Sequence, residues 1–245
     1  MILSSLRSVI RRGTGALLHT KPLSPPLSLQ RWCFRTLVAG SPNPERHEEY
    51  LSSDSDSDEE FDSKFERGNS EFWRRKMRTF HGILDLNKDG VISFDDFRIL
   101  VDRFVYLGHL LPHEQKEFNE VVQSLWEERW GNVSPYNLVT TEQYLEDMHH
   151  IVNDKQLRKK VHTFLPFLFK AVDRDNNGYI TVEEFKLFFN CLGLPRDVAA
   201  ISFAAVDENI DGRITLKEFV KTGRDFFLTE NQKAASKMFW GPLVK

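Results

Sequence analysis

The sequence predicts an all-α chain of four helix–loop–helix units. They pair into two lobes of one compact unit, with short strands pairing the loops and the second unit degenerate. Three observations carry that reading. Residues 85–96, 173–184 and 207–218 repeat one order of acidic and amide side chains around a glycine in the sixth place. Apolar residues recur at helical spacing on both sides of each stretch. The last two stretches start 34 residues apart, and the first has room for a partner of its own before residue 154.

In chain order, the 245 residues begin with a segment unlike the rest. Residues 1–44 hold six cations (Arg7, Arg11, Arg12, Lys21, Arg31, Arg35) and no Asp or Glu. On a helix Leu3, Leu6 and Ile10 share one side and Arg7 and Arg11 another, until Pro22, Pro25 and Pro26 end it. An acid-free, Arg- and Ser-rich start has the composition of a mitochondrial transit peptide. Residues 1–40 are read as such a segment, and the expected location is mitochondrial, with a cytoplasmic protein carrying a basic tail as the alternative. A secretory signal fits worse, because Ala16-Leu17-Leu18 is interrupted by His19 and Lys21. Cleavage that removes Cys33 would leave Cys191 alone, with no internal disulfide possible.

Residues 41–69 read as an acidic disordered linker. Glu45, Glu48, Glu49, Asp54, Asp56, Asp58, Glu59, Glu60 and Asp62 repel one another, with too little apolar surface between them to order the segment. Ser53, Ser55 and Ser57 each have an acid three residues on, the pattern acidophilic kinases favour. A solvated linker accounts for the same block without any modification.

The helix–loop–helix region follows as a pair over residues 70–153, a pair over 154–227, and an apolar tail over 228–245. Trp73, Met77, Phe80 and Leu84 lead into Asp85, and Phe97, Leu100, Val101 and Phe104 follow Asp96. Phe164, Leu165, Leu168, Phe169 and Val172 precede Asp173, with Phe185, Leu187, Phe188 and Cys191 after Glu184. Val198, Ile201, Phe203 and Val206 precede Asp207, and Phe219 follows Glu218. These aromatics read as core, and Pro166 predicts a kink in its helix.

Composition excludes several classes. Mean hydropathy is −0.42 and no apolar run of about 18 residues occurs, so no membrane-spanning helix is expected. A net charge of −3 speaks against nucleic acid as partner. Without the six early cations the body carries 27 basic against 36 acidic residues. No protein partner is indicated, and a monomer is expected.

The repeated stretches are EF-hand calcium loops. Ca²⁺ takes about six to eight oxygens at roughly 2.3–2.6 Å. A chain folded around it points side chains one, three and five inward, turns at a glycine in place six, and offers the carbonyl of residue seven. Residue nine acts through water, and residue twelve supplies a carboxylate from the exiting helix. The ligand sets are therefore Asp85, Asn87, Asp89, Val91 and Asp96; Asp173, Asp175, Asn177, Tyr179 and Glu184; and Asp207, Asn209, Asp211, Arg213 and Glu218. Three Ca²⁺ sites follow, with Mg²⁺ competing. Aspartate at place twelve is one methylene short for bidentate contact, so Mg²⁺ should compete most at the loop of residues 85–96.

Aligning Asn137–Tyr144 on Gly178–Phe185 supplies the missing partner loop, starting at Asn132. Its metal places hold Asn132, Ser134, Tyr136 and Gln143, without a carboxylate, and Asn137 replaces the glycine. It should not bind a divalent ion. Val139 still stands where a strand can pair with Ile92, as Ile180 should with Ile214.

With loops one, three and four intact, loop two degenerate, Asp96 closing the first and Phe239-Trp240-Gly241-Pro242-Leu243-Val244 near the end, the chain from about residue 70 onward resembles the sarcoplasmic calcium-binding proteins, calexcitin-like members included. The resemblance implies a compact, all-helical, four-hand buffer of Ca²⁺ and Mg²⁺. Residues 1–62 lie outside that pattern.

Buffer is the expected function. A Ca²⁺ sensor that regulates a mitochondrial or cytosolic partner is the alternative. Sensors open a Met-rich groove, whereas this region holds Met77, Met148 and Met238 alone, and the apolar tail could cap a groove from within. The coelenterazine photoproteins resemble the chain in loop order but need a histidine near the C-terminus, and the last one here is His162. His149 and His150 are adjacent on a helix and face apart. No nucleophile–base pair or phosphate loop occurs, so no enzyme is expected.

Overall fold

The structure, a computed structural model, describes residues 66–107 and 109–244. The transit-like segment and the nine-acid block lie outside the described residues. Helix α1 (Glu71–Leu84) enters the first loop, β1 (Val91–Ile92) crosses it and α2 (Phe94–Tyr106) leaves it. Helix α3 (Pro112–Trp130), β2 (Val139–Thr140) and α4 (Thr141–Asn153) form the second unit, followed by the short helix α5 (Lys155–Lys160). The second pair is built from α6 (Leu165–Val172), β3 (Tyr179–Thr181), α7 (Val182–Cys191), α8 (Arg196–Val206), β4 (Arg213–Thr215) and α9 (Leu216–Leu228). A 3₁₀ turn (Ala235–Met238) starts the tail.

The exiting helices begin for one shared reason. Ser93, Thr140, Thr181 and Thr215 stand at their N-caps, and the residue three places on (Asp96, Gln143, Glu184, Glu218) accepts from the cap backbone N–H. The strands pair antiparallel within each lobe, with Ile92 opposite Val139 and Ile180 opposite Ile214, as the alignment of the loops expected. Pro166 differs from expectation. It stands in the first turn of α6, where an N–H has no intrahelical acceptor anyway, so its missing donor imposes no kink.

One aromatic cluster joins the lobes. Phe80 of α1 packs on Phe227 of α9 at 5.1 Å between centroids, and Phe104 of α2 meets Phe188 of α7 at 6.4 Å. The tail closes it: Trp240 lies 4.7 Å from Phe80 and 5.9 Å from Phe188, and Phe239 lies 5.0 Å from Phe219. Beyond Trp240, Val244 N–H donates to Thr79 Oγ1 at 3.0 Å and Arg75 donates to Val244 O, lashing the tail along α1. Gly223 permits this packing, since a Cβ there would come 2.6 Å from Leu165 Cδ1 and 3.0 Å from Phe239 Cζ. Met77 and Met148 are buried in the same core rather than lining an exposed face.

Helix α1 is also bonded to the end of α9. Trp73 Nε1 donates to Phe227 O at 2.8 Å, and the fully buried Lys76 ammonium donates to Phe226 O and Thr229 O. Lysine thus caps carbonyls that a helix C-terminus leaves without partners. Burial pushes the Lys76 pKa down to about 8, against the opposing charges of Asp225 and Glu230. No described helix is long and apolar enough to cross a membrane.

Candidate metal centres

Each intact loop starts as its entering helix stops. Asp85, Asp173 and Asp207 are the C-cap residues of α1, α6 and α8. Their carboxylates then gather the loop backbone, because both oxygens can accept while lone pairs remain. One oxygen accepts from the fifth residue's N–H at 3.1, 3.1 and 3.2 Å. The other accepts from the sixth, the glycine, at 3.0, 2.9 and 2.9 Å.

The third and fifth side chains are set by Asx turns, each oxygen accepting from the N–H two residues on. Asn87, Asp175 and Asn209 hold the N–H of Asp89, Asn177 and Asp211. Asp89, Asn177 and Asp211 hold that of Val91, Tyr179 and Arg213. The turn needs two left-handed residues. Lys88, Asn176 and Ile210 take φ of 62°, 55° and 59° in the fourth place, and Gly90, Gly178 and Gly212 take 93°, 85° and 79° in the sixth.

The twelfth residue closes each loop. Glu184 Oε2 accepts from Thr181 N and Oγ1 at 2.8 and 2.7 Å while its Oε1 accepts from Arg174 N at 2.9 Å. Glu218 Oε2 accepts from Thr215 N and Oγ1 at 2.9 and 2.7 Å. Asp96, fully buried, accepts from Ser93 N at 2.8 Å and from Leu86 N and Asn87 N at 2.9 and 3.1 Å. It makes the same bridge as Glu184 with one methylene fewer, one oxygen on the cap N–H and the other on the N–H groups of the loop's second and third residues.

Neighbouring cations turn away from the loop interiors. Lys88 donates to Gly82 O, Arg174 to Leu107 O at 3.4 Å, and Arg213 lies over the Tyr179 ring at 5.4 Å. The carboxylates are left to face one another. Among the described residues, Asp173, Asp175 and Glu184 bring carboxylate oxygens within 4.8 Å of each other. The Asp173 carboxyl is pushed above the usual range, first by burial. The Gly178 and Asn177 N–H groups oppose that rise, and the Glu184 and Asp175 charges add to it. Convergent carboxylates with no cation of the described residues among them fit a divalent ion, whose hard charge takes oxygen ligands.

The second unit keeps the scaffold and drops the cradle. Gln143 Oε1 accepts from Thr140 N at 2.9 Å and Oγ1 at 3.1 Å, a neutral copy of the Glu184 box. Asn137, in the glycine place, donates its amide to Trp130 O at 2.6 Å and Asn132 O at 3.3 Å. Tyr136 projects into solvent, 91% exposed. The left-handed pair of the other loops does not recur between Asn132 and Gln143.

Sequence reasoning missed two features. His81, four residues before Asp85, stands where the other entering helices carry Phe169 and Phe203. Its Nε2 faces Val139 O at 3.1 Å and its Nδ1 faces Thr141 Oγ1 at 3.3 Å, tying the first loop to the second. Breaking the Phe pattern at that place was the available signal. The Ser93, Thr181 and Thr215 hydroxyls of the ninth place donate to the twelfth carboxylate, a contact the spacing did not announce.

Family models agree with this anatomy. One described as an EF-hand domain pair matches residues 164–222, and one described as an EF hand matches residues 82–101. The chain is 35% identical to a sarcoplasmic calcium-binding protein of Perinereis vancaurica tetradentata over 71% of its own length and 100% of the relative's. It is 32% identical to that of Hediste diversicolor over the same shares. Among solved structures, a coelenterazine-binding protein of Renilla muelleri in its Ca-loaded apo form superposes with a TM-score of 0.58 at 25% identity, covering 71% of this chain and 99% of the other.

Proposed function

The chain belongs to the sarcoplasmic calcium-binding protein family, and on that premise we propose that this calcium-binding protein is a Ca²⁺ and Mg²⁺ buffer with three working sites and no catalytic step. The ligands are the three sets beginning at Asp85, Asp173 and Asp207. Mg²⁺ competes most at the first. One observation carries the count. The same twelfth-place bridge closes all four units, charged in three of them (Asp96, Glu184, Glu218) and neutral in Gln143.

Buffer rather than sensor follows from the tail. Phe239 and Trp240 fill the cluster between α1, α7 and α9, the place where a sensor would receive an amphipathic helix. Calorimetric titration of the full chain should give three divalent sites. Four would overturn the reading of the Asn132 loop, and two would silence the loop closed by Asp96. Ca²⁺-dependent exposure of apolar surface to a dye should be small. Strong exposure, or Ca²⁺-dependent capture of an amphipathic helix, would make it a sensor.

The proposed location is mitochondrial, on the basic, acid-free composition of residues 1–40. Fusing those residues to a reporter should send it to mitochondria, and Arg7→Glu, Arg11→Glu and Arg12→Glu together should leave it diffuse. A wild-type fusion that stays in the cytosol returns the segment to a basic tail.

A further inference from the structure

Two details set the loop of residues 207–218 apart from the other intact loops, and the first is its fourth residue. All three loops turn through a left-handed fourth place, at φ of 62° for Lys88, 55° for Asn176 and 59° for Ile210. Asparagine takes that conformation readily, because its short polar side chain can bond locally. Lys88 is compensated by its ammonium, which donates to Gly82 O. Ile210 has neither remedy. It is β-branched, the type for which a left-handed backbone is an outlier, and it is 87% exposed, so no packing offsets the strain.

The second detail is the clasp between the loop's two ends. Glu184 Oε1 reaches back to Arg174 N at 2.9 Å, and Asp96 Oδ1 to Leu86 N and Asn87 N at 2.9 and 3.1 Å. Among the described residues the Glu218 carboxylate bonds to Thr215 alone. The start of this loop is joined to α9 by the exposed Glu208–Lys221 pair at 2.7 Å instead, and an exposed pair contributes little. The strain at Ile210 belongs to the closed loop. Asp211 N–H holds it there by donating to Asp207 Oδ1 at 3.2 Å and Asn209 Oδ1 at 3.0 Å, and both acceptors are ligand side chains. When the ligands part, those bonds go and Ile210 returns to the extended region that β-branched residues favour. A site that binds only when closed loses affinity in proportion to the fraction closed.

We propose that residues 207–218 form the weaker Ca²⁺ site of the second pair, filling after residues 173–184, and that Ile210 sets this order as a positioning residue that never touches the ion. The proposal rests on the reading of both loops as working sites. Its partner loop closes without that penalty: Asn176 bears the turn, and Asp173, Asp175 and Glu184 already converge within 4.8 Å. A left-handed penalty of the usual size separates the two sites by about five- to thirtyfold in Kd. The pair then buffers over two ranges of Ca²⁺ rather than one.

Ca²⁺ titration of the isotope-labelled full chain, followed by NMR, reads each site at its own glycine amide, since the Gly178 and Gly212 N–H groups donate to the first carboxylates. In the wild-type chain Gly178 should shift at about five- to thirtyfold lower free Ca²⁺ than Gly212. Ile210→Asn should tighten the site read by Gly212 about tenfold and leave the melting curve in chelator unchanged. Ile210→Val keeps the branched side chain and should leave the order as it is. Asn176→Ile should weaken the site read by Gly178 by a similar factor. Gly212 moving with or before Gly178 in the wild-type chain would overturn the proposal. So would an Ile210→Asn chain that melts later in chelator but binds Ca²⁺ no tighter, because the strain would then be carried with and without the ion. A Gly212 amide that never moves while Gly178 does would overturn the assignment of residues 207–218 as an ion site, and this proposal with it.

Discussion

Replacing Glu184 by glutamine separates the two tasks of the twelfth residue. Glu184 Oε2 holds Thr181 N and Oγ1 at 2.8 and 2.7 Å. The protein already shows that glutamine can do this, since Gln143 Oε1 holds Thr140 N and Oγ1 at 2.9 and 3.1 Å. Loss of the charge weakens these bonds by about 0.5–1 kcal/mol. Removing its repulsion with Asp173 and Asp175 works in the opposite direction. Stability without ions should therefore change by no more than about 1 kcal/mol, or about 2–4 °C in Tm for a chain of this size.

Ion binding should respond far more. A 2+ ion and one carboxylate about 2.4 Å apart attract by about 3.5 kcal/mol even at the dielectric of water. That is about 300-fold in Kd. The amide oxygen left behind keeps a dipole toward the ion, so the expected loss is at least about 100-fold at this site. Titration calorimetry of Glu184→Gln should count two sites where the parent shows three, with a matched melting curve in chelator. Unchanged affinity at all three would refute the ligand assignment. A fall of more than about 2 kcal/mol in chelator would refute the equivalence of the Gln143 and Glu184 boxes.

Three further outcomes are expected. Asp96→Glu should raise the preference of the first site for Ca²⁺ over Mg²⁺, read as Ca²⁺ titration with and without millimolar Mg²⁺; unchanged competition would mean side-chain reach does not set selectivity there. Trp240→Ala removes a ring that is 2% exposed, and should cost about 3–5 kcal/mol in chemical denaturation while raising dye binding in the Ca²⁺ form. Lys76 gives a pH signature: with its pKa lowered from 10.5 to about 8, the folded chain gives up this proton before the unfolded chain does. Stability should therefore rise from about pH 8 to pH 10.5, by up to about 3 kcal/mol, and be lost again as pH falls through 8. Lys76→Met should flatten that slope in urea melts, whatever its absolute stability, and an equal slope in both would show that the lysine is not the titrating group.

The loop geometry was legible because an EF-hand loop is self-contained. Asp85, Asp89 and Asp96 sit within twelve residues, and the bonds that aim them run to N–H groups of the same loop. Spacing along the chain therefore stands in for geometry. The strand pairing was legible too, because Ile92, Val139, Ile180 and Ile214 occupy equivalent places in repeated units. Family membership follows from the order of intact and degenerate loops and from 35% identity across a relative's full length. Pro166 was misjudged by position alone, since the helix begins only one residue before it and a kink needs a full turn ahead of the proline.

Other features belong to the tertiary structure, because their partners are far apart in the chain. Lys76 reads as one more surface cation of an amphipathic helix until α9, 150 residues on, brings the Phe226 carbonyl to its ammonium. His81 reads as a variant of a core phenylalanine until Val139 arrives 58 residues later. The tail is apolar in sequence, but only the meeting of α1, α7 and α9 makes the cavity that Trp240 fills. Arg67 and Asn153, 86 residues apart, are likewise paired only by the fold. Ligand chemistry was written locally, in side chains and their spacing, while the buried charge and the closed core arose when distant helices came into contact.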